Sequence, residues 1–300
     1  MTTDVALSTM WAIGQFPSLA DFFTAGKELG FDRFELNHGI DSSMLKGLRL
    51  DGIITSVHEP CPADVSLAEL KRRNWLVSAR DEEERRQGVR AIERSIDLAQ
   101  ALGVQAVIVH PGKVDIDPKL EWVLLDLYRA GRAGQPEYAE ASKRLAAARA
   151  EQAAGNMAPV RRSLLELAEY AGRKEVRLGL ENRFHYHEIP LPDELDELLG
   201  LGPGDVVGYW HDVGHAQVLE HLGFGTHEEW LQRFFGRMVG VHLHDVVGVN
   251  DHLAAGLGHV DWEMVARYLP AGTLRTCEFQ TTNSRQQVAD GLAWLIDRGV

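Results

Sequence analysis

The stretch Gly208-Tyr209-Trp210-His211-Asp212-Val213-Gly214-His215 decides the fold prediction for this chain. It reads as a short buried strand that ends on a carboxylate, Asp212, with an imidazole, His215, three residues further on. Side chains at the exit of such a strand can converge on one ion or one substrate. The pair is a weak signal by itself, but the same pattern occurs at five other predicted strand ends, where an apolar run ends on His or Glu.

Apolar, β-rich runs alternate with longer amphipathic stretches, which indicates repeated βα units and a parallel sheet. The predicted strands are Val5–Met10, Arg33–Leu36, Ile53–His58, Val104–His110, Val176–Glu181, Val206–Asp212, Met238–His242 and Thr273–Glu278. Helices are predicted near Leu19–Leu29, Glu82–Leu102, Pro159–Gly172, Pro192–Leu199, His227–Phe235, Trp262–Leu269 and Arg285–Ile296, with a short, degenerate one in Asp41–Leu50.

Eight such units in 300 residues favour an α/β fold with a single (β/α)8 TIM barrel spanning residues 1–300. Barrels of this kind routinely run to ~250 residues as one domain. An open sheet that binds a dinucleotide would carry a G-x-G-x-x-G turn after a strand, and the sequence has none.

A long helical insertion is predicted after strand 4, over about residues 112–157. It contains the Ala-, Arg- and Glu-rich segment Glu137–Gln152, which is helical by propensity. Because the insertion begins directly after His110, we expect it to rise from the mouth of the barrel. A packing or subunit-contact helix and a lid over the site are both consistent with this position.

Composition limits the class of protein. Hydrophobic residues make up 45% of the chain and charged residues 25%, as in soluble globular proteins. No apolar run approaches the ~20 residues that cross a bilayer, and Met1–Asp4 carries no basic segment, which predicts a cytoplasmic protein. Cys61 and Cys277 form neither a disulfide framework nor a thiolate zinc motif.

The net charge of −13 makes nucleic acid an unfavourable partner, since phosphate contacts need clustered Lys and Arg.

Strand ends of a parallel barrel open on one face, and that face carries the active site. The ionisable side chains at those ends are His58, His110, Glu181, Asp212 with His215, His242 and Glu278. Strand periodicity then directs their neighbours two residues earlier towards the axis as well: Ser56, Ile108, Gly179, Trp210, Gly240 and Thr276. The alternate residues face the helices and are mostly apolar: Val57, Val109, Leu180, Val241 and Cys277.

Seven ionisable groups around one mouth would be costly to bury without partners, because like carboxylates repel and burial penalises each charge. A bound divalent cation removes the repulsion between the carboxylates, and neutral imidazole is a good ligand beside them. The pattern therefore predicts a metal site. This donor set suits Mn or Zn, with Co, Fe and Mg as further options, at one to two ions per chain.

This ordered set of motifs resembles the xylose isomerase-like TIM barrels, a superfamily of sugar isomerases, epimerases and endonuclease IV. The resemblance spans Ser56–Glu278 and rests on Asp212-x-x-His215, His242-Leu-His-Asp and the terminal Glu278. It implies a shared catalytic metal held by Glu181, Asp212, His242 and Glu278. It also implies that His215 contacts substrate or a further metal, and that His58 and His110 bind another zinc together with Glu181.

The loop after the seventh strand departs from the nuclease pattern. The nuclease carries Asp-x-His there, whereas this chain reads Asn250-Asp251-His252, followed by Gly256-Leu257-Gly258. His252 keeps its place relative to the glycines, but the aspartate two residues before it has become Asn250. In extended backbone the side chains of Asp251 and His252 diverge. We therefore expect a third metal site to be weak or absent.

Other polar and aromatic residues are candidates for substrate binding. Arg183, His185 and His187 follow Glu181 and are placed to reach substrate hydroxyls or a phosphate, or else form a solvated polar loop. Trp11, Phe16 and Trp210 are candidates for an apolar wall against a sugar ring, or for packing. His252 is a further candidate for substrate contact. Glu35 is expected to orient a histidine ligand or to pair with a neighbour.

Two mechanisms fit these residues. The first is that of a metal-dependent isomerase or epimerase of a sugar, sugar phosphate or keto-polyol. There the ion chelates a carbonyl and a hydroxyl and stabilises an enediolate, while Glu181 and Glu278 move the proton; hydride transfer stays open. The alternative is zinc-dependent phosphodiester hydrolysis of the endonuclease IV type on abasic-site DNA, which His58 and His110 favour. A metal-binding protein without catalysis is the third reading. The sequence leaves the subunit number open, a homo-oligomer included.

Overall fold

Eight parallel strands close into a barrel in the computed structural model, which describes residues 4–300. The strands in chain order are β1 (Val5–Ser8), β2 (Arg33–Leu36), β3 (Ile54–His58), β4 (Ala106–Val109), β5 (Arg177–Glu181), β6 (Val207–Asp212), β7 (Met238–Leu243), β8 (Asp245–Val247), β9 (Asn250–Leu253) and β10 (Leu274–Cys277). The ring order is β1-β10-β7-β6-β5-β4-β3-β2, and β8 pairs with β9 as an antiparallel hairpin. The predicted (β/α)8 barrel is confirmed, and its eight strands match the predicted ones to within about two residues.

The helices lie between the strands, and most begin at a residue whose side chain accepts a hydrogen bond from the first turn. These capping residues include Ser18, Asp81, Thr226 and Ser284. The helices are α1 (Leu19–Glu28), α2 (Ser42–Leu45), α3 (Leu67–Arg72), α4 (Glu82–Ala101), α5 (Lys119–Arg129), α6 (Pro136–Arg173), α7 (Pro192–Leu199), α8 (Val213–His221), α9 (His227–Phe234), α10 (Trp262–Tyr268) and α11 (Arg285–Asp297). The predicted elements do not include α3, α5, α8 or the β8–β9 hairpin. Within residues 4–300, every helix is too short or too polar to cross a membrane.

Trp210 fills the barrel interior below the strand ends. Its ring packs with Ala106, Ile108 and Val239. Gly179 and Gly240 make room for it, since a Cβ on Gly240 would lie 2.2 Å from the Trp210 ring and one on Gly179 would lie 3.0 Å from it. The predicted inward layer, in which Ile108 and Trp210 are the two large side chains, is therefore present, and its apolar alternates pack in the main core with the helices.

The chain between β4 and β5 forms α5 and α6, so the predicted insertion over about residues 112–157 contains α5 and the first part of α6. Helix α6 is 38 residues long and runs through Pro159, so the prediction that a separate helix starts near Pro159 is wrong. Proline normally breaks a helix because it removes one backbone bond and crowds the preceding turn. Here Asn156 fixes that turn: its amide donates to Ser78 O at 3.0 Å and to Asp115 Oδ2 at 2.9 Å. Strong helix formers on both sides and these contacts outweigh the proline.

Arg149 of α6 attaches the insertion to the loop between β5 and α7. Its guanidinium donates to the carbonyls of Tyr186 and Glu188 at 2.8 and 2.9 Å, and binds both oxygens of Glu194 at 2.8 and 2.7 Å. The Arg149 side chain is only 4% exposed. A second pair, Arg161–Glu197, joins the same two helices in the open, with 40% of the arginine side chain exposed.

Replacing Arg149 with methionine is expected to lower the free energy of unfolding by about 3–5 kcal/mol, because it leaves the Glu194 carboxylate, whose side chain is only 15% exposed, and two carbonyls without their donor. Urea denaturation followed by circular dichroism measures the loss. Arg161→Met is the matched control and should cost no more than about 1 kcal/mol, as exposed ion pairs do. Equal losses in the two variants would contradict the assignment of Arg149 as the anchor of the insertion.

Asp245 organises the segment that follows the β8–β9 hairpin. Its carboxylate accepts hydrogen bonds from Gly256 N at 2.9 Å, Val260 N at 3.0 Å and Trp262 Nε1 at 3.2 Å. Gly258 is required here, since a Cβ at this position would lie 2.4 Å from Asp245 Oδ1. The hairpin is thereby fixed over the mouth of the barrel.

Candidate active site

Four strand-end side chains converge at the mouth of the barrel. The ligand atoms of Glu181, Asp212, His242 and Glu278 all lie within 4.8 Å of one another. His242 Nδ1 is the common neighbour, at 2.8 Å from Glu181 Oε1, 3.3 Å from Glu278 Oε2 and 3.6 Å from Asp212 Oδ2. All four residues are buried. The structure thus brings together the four residues to which sequence analysis assigned the shared metal.

The Asp-x-x-His spacing has a local cause. Asp212 is the N-cap of α8, and its Oδ1 accepts the backbone N–H of His215 at 2.7 Å. The strand therefore turns into a helix at the carboxylate itself, which leaves Oδ2 directed at His242 and places the His215 ring beside it. Asn182 fixes the same turn: its amide donates to Asp212 O and its Oδ1 accepts from Asp212 N, both at 2.8 Å.

The electrostatics of the site favour a cation. Burial alone would raise the pKa of Glu181 and of Asp212, but the pKa of each lies well below its ordinary value, owing to Arg183 and His110 in one case and to His215 and His244 in the other. Burial would lower the pKa of His242, yet the Glu278 and Glu35 carboxylates raise it well above normal. Glu181 and Asp212 are therefore ionised, and positive charge is stabilised beside them.

Glu35 holds the other side of the His242 ring. Its two carboxylate oxygens lie 3.2 and 3.3 Å from His242 Nε2, and Oε2 also accepts from Ser56 Oγ at 2.7 Å. With Nε2–H donating to Glu35, Nδ1 is the His242 atom that faces the three carboxylates, and a bound ion would take the place of the proton that the raised pKa stabilises there. The expectation that Glu35 orients a histidine agrees with this geometry.

His58 and His110 meet Glu181 on the opposite side of its carboxylate. Glu181 Oε2 lies 3.6 Å from His58 Nε2 and 2.5 Å from His110 Nε2. A guanidinium is already present at the same point: Arg183 Nη1 lies 2.6 Å from Glu181 Oε2 and 2.5 Å from His110 Nε2. The guanidinium therefore contacts Glu181 and His110, two of the three groups that the resemblance assigns to a second zinc.

The two histidines of this cluster differ in charge. Burial and the Arg183 guanidinium lower the pKa of His110 to about 3, so its imidazole is neutral and accepts from Arg183. Burial lowers the pKa of His58, but the hydrogen bond with Glu181 and the charges of Glu181 and Glu278 together raise it to about 9. The guanidinium is thus paired with a carboxylate and a neutral ring.

The β8–β9 hairpin brings a further group of imidazoles to the site, and one expectation about it is wrong. His252 has a φ of +54°, so its backbone is not extended, and Asp251 does not point away from it. The Asp251 carboxylate lies 3.5 Å from His252 Nε2 and 3.7 Å from His215 Nε2. The ligand atoms of His215, His244 and His252 also lie within 4.8 Å of one another.

Sequence analysis did not single out His244. Strand periodicity offered a signal, since His244 follows His242 by two residues and therefore projects to the same side. Its Nε2 lies 2.9 Å from Asp212 Oδ1, and Asp212 raises the pKa of His244 to about 9 although burial opposes this. The ring passes so close to α8 that a Cβ on Gly214 would lie 2.0 Å from it.

The predicted aromatic wall is wrong for both tryptophans. Trp11 and Trp210 are 1% and 0% exposed, and Trp11 Nε1 donates to Asn283 O at 2.9 Å. Neither ring borders the cavity beside the site, because both are enclosed by core side chains. This cavity has a volume of about 690 Å3, within the range of small-molecule sites. Apolar walls of the cavity are formed instead by Trp75, Leu76 and Phe184, and its polar residues include His110, Arg183, His215, Asp251 and His252.

His185 and His187 turn away from the strand-end carboxylates towards the insertion. Both Nδ1 atoms face the carboxylate of Glu121 in α5, and His185 also borders the cavity. The expectation that they contact substrate therefore has geometric support for His185, whereas His187 faces the Glu121 carboxylate.

Comparison with known proteins identifies the class. The family model described as xylose isomerase-like TIM barrel matches residues 23–298, and the chain belongs to this family. A curated relative, the uncharacterized protein y4fM of Sinorhizobium fredii, is 24% identical over 228 residues, which is 75% of this chain and 62% of that protein. The matched region thus spans less than two thirds of the length of that relative.

Solved structures share the barrel. A D-tagatose 3-epimerase-like protein superimposes with a TM-score of 0.67 at 19% identity, covering 99% of this chain and 100% of the other. The 3-keto-D-glucoside 4-epimerase YcjR from E. coli gives 0.65 at 18% identity, covering 98% and 99%. The IOLI protein with a bound zinc atom gives 0.65 at 14% identity, covering 99% and 98%. At sequence identities of 14–19%, these superpositions establish that the chain shares its fold with the three proteins.

Proposed function

We propose that the protein is a metal-dependent isomerase or epimerase of a sugar, sugar phosphate or keto-polyol. The observation that carries this proposal is the buried set Glu181, Asp212, His242 and Glu278, whose ligand atoms lie within 4.8 Å of one another at the barrel mouth. Three carboxylates and one imidazole are a donor set that suits Mn2+, Zn2+ or a similar divalent ion. The epimerase names of two of the superimposed structures support the same reaction class.

An ion held there would polarise a substrate carbonyl and the adjacent hydroxyl, which makes the intervening C–H more acidic. Glu278 is the better placed of the two glutamates to take that proton, because its side chain is 7% exposed and Glu181 is fully covered. His252 holds Glu278 in position by donating from Nδ1 to the Glu278 carbonyl at 2.9 Å. Glu181, three strands away around the ring, would return a proton from the other side.

Arg183 is assigned to substrate binding. It borders the cavity, and its guanidinium lies between Glu181 and the cavity space. Positive charge at this point would stabilise an oxyanion that develops on the substrate. The Arg183 guanidinium would also compete with a second ion for Glu181 Oε2 and His110 Nε2. This competition favours one bound ion at the strand ends, rather than the two or three ions of a nuclease.

Solvent exchange tests the proposal on a panel of candidate substrates. Protein loaded with Mn2+ or Zn2+ is incubated in D2O with ketohexoses, their phosphates and 3-keto-glycosides, and deuterium at the carbon next to the carbonyl is followed by 1H NMR. We expect exchange on at least one of them, slowed at least about 100-fold in metal-free protein, since a Lewis acid contributes several kcal/mol. Conversion of a substrate without deuterium uptake would show that the reaction proceeds by hydride transfer and not by proton transfer. No exchange and no conversion across the panel would refute the proposal.

A second candidate function is zinc-dependent phosphodiester hydrolysis of the endonuclease IV type. The observation that favours it is the presence of three clusters at one mouth, formed around Glu181 with His58 and His110, around His242, and by His215, His244 and His252. The net charge of −13 and the Arg183 guanidinium count against it. Cleavage of a duplex with an abasic site by zinc-loaded protein would establish it.

A further inference from the structure

A second cluster of ligand-type side chains joins the insertion to the loop between β5 and α7. It consists of Glu121 in α5 and of His185 and His187 in the loop, and their ligand atoms lie within 4.8 Å of one another. The cluster shares no residue with the strand-end site. It brings together two segments that are more than sixty residues apart in sequence.

The geometry is that of a three-ligand cation site. Both imidazoles present Nδ1 to the same carboxylate: His185 Nδ1 lies 3.3 Å from Glu121 Oε1, and His187 Nδ1 contacts Oε2. Ligands bound to zinc at about 2.0–2.2 Å lie at most about 4.4 Å apart, so only small adjustments are needed to place all three around one ion. Two nitrogens and one carboxylate oxygen are also the donor set that zinc accepts.

The surrounding structure fixes these ligands before any ion binds. Tyr186, between the two histidines, donates its backbone N–H to Glu121 Oε1 at 2.8 Å. Its ring stacks on Phe224 with centroids 3.8 Å apart, and Arg149 holds its carbonyl. These contacts fix the backbone of the His-x-His segment beside Glu121, and such preorganisation lowers the cost of binding.

Charge and access favour an ion as well. Glu121 is 1% exposed. Burial would raise its pKa, but the hydrogen bonds from His185 and His187 lower it to about 2, so the buried carboxylate is ionised. The His185 side chain is 38% exposed and borders the cavity, which gives an ion a route in and leaves room for water as a fourth ligand.

We propose that Glu121, His185 and His187 form a second divalent-cation site of the zinc type, which fastens the insertion to the loop that carries Arg183. The bound ion replaces the contacts between the two Nδ1 atoms and the Glu121 carboxylate with three coordinate bonds. It is a structural site, separate from the strand-end ion in both ligands and purpose.

Metal counting on variants tests this site independently of any activity. Each purified protein is dialysed against Zn2+, and bound zinc is measured by mass spectrometry; Co2+ absorption spectra report the ligand geometry. Relative to the parent, Glu121→Gln and His187→Gln should each lose one ion per chain and the corresponding Co2+ band, and the zinc-induced rise in melting temperature should shrink. His259→Gln, which removes an exposed imidazole, is the matched control and should lose none.

Asp212→Asn separates this site from the strand-end site, because it should remove the other ion and leave this one. If His187→Gln fails to fold, His185→Gln alters the most exposed of the three ligands and serves in its place. The proposal is overturned if Glu121→Gln and the histidine variant bind as much zinc as the parent. If only the strand-end site fails to bind an ion, His187→Gln will still bind one ion fewer than the parent. Asp212→Asn will then bind the same number as the parent.

Discussion

Replacing Glu278 with glutamine is expected to slow deuterium exchange at the substrate carbon by about 10²–10⁴-fold, the usual contribution of a general base. Glutamine has nearly the same shape and can still offer its carbonyl oxygen to an ion, but it cannot accept a proton. Glu278 is the more exposed member of the glutamate pair, and His252 fixes its backbone. The change should therefore act mainly on turnover.

The measurement is the rate of exchange at saturating metal, which corrects for any weaker ion binding. Circular dichroism and the melting temperature check the fold. Glu263→Gln, on the exposed surface of α10, is the matched control and should exchange at the parental rate. A Glu278→Gln protein within tenfold of the parent at saturating metal would show that Glu278 is not the base.

Replacing Arg183 with methionine should change both the rate and the number of ions. Removing one donor that stabilises a developing oxyanion costs about 2.7–4 kcal/mol, so kcat should fall by about 10²–10³-fold. At the same time Glu181 Oε2 and His110 Nε2 lose the guanidinium at 2.6 and 2.5 Å. Together with His58 they become available to a second strand-end ion, so the variant should bind one more zinc per chain than the parent.

Arg183→Lys is the informative control, because it keeps the positive charge but loses the planar fork. We expect it to bind the parental number of ions and to recover part of the lost rate. Zinc is counted by mass spectrometry after dialysis, as for the other variants. An unchanged ion count in Arg183→Met would mean that the guanidinium does not stand in for a cation.

The barrel and the set of strand-end residues were accessible from sequence because closure of eight parallel strands dictates both. Once a strand such as Val207–Asp212 is recognised, its period places Trp210 inside and Asp212 at the mouth. His242 and Glu181 follow by the same rule. Strands β10, β7, β6 and β5 follow one another around the ring, so their carboxyl ends lie side by side. The convergence of the four side chains can therefore be predicted without any measured distance.

The remaining features depend on contacts that carry no local signal. The convergence of Asp251 with His252 arises from a positive φ at a non-glycine residue, which sequence patterns do not report. The continuity of α6 through Pro159 depends on side-chain contacts of Asn156 with Ser78 and Asp115. The Arg183 guanidinium in the His58–His110 cluster is likewise a tertiary arrangement, and it changes the interpretation of those two histidines.

The attachment of the hairpin has an evolutionary consequence. Asp245 fixes the chain after β9 through Gly256, Val260 and Trp262, whereas the turn between β8 and β9 takes no part in these bonds. Mutations in that turn can accumulate without disturbing the strand-end carboxylates, which lie on other strands. Descendants of this chain should therefore tolerate change in the turn more readily than at Asp251 and His252, the hairpin residues that border the cavity.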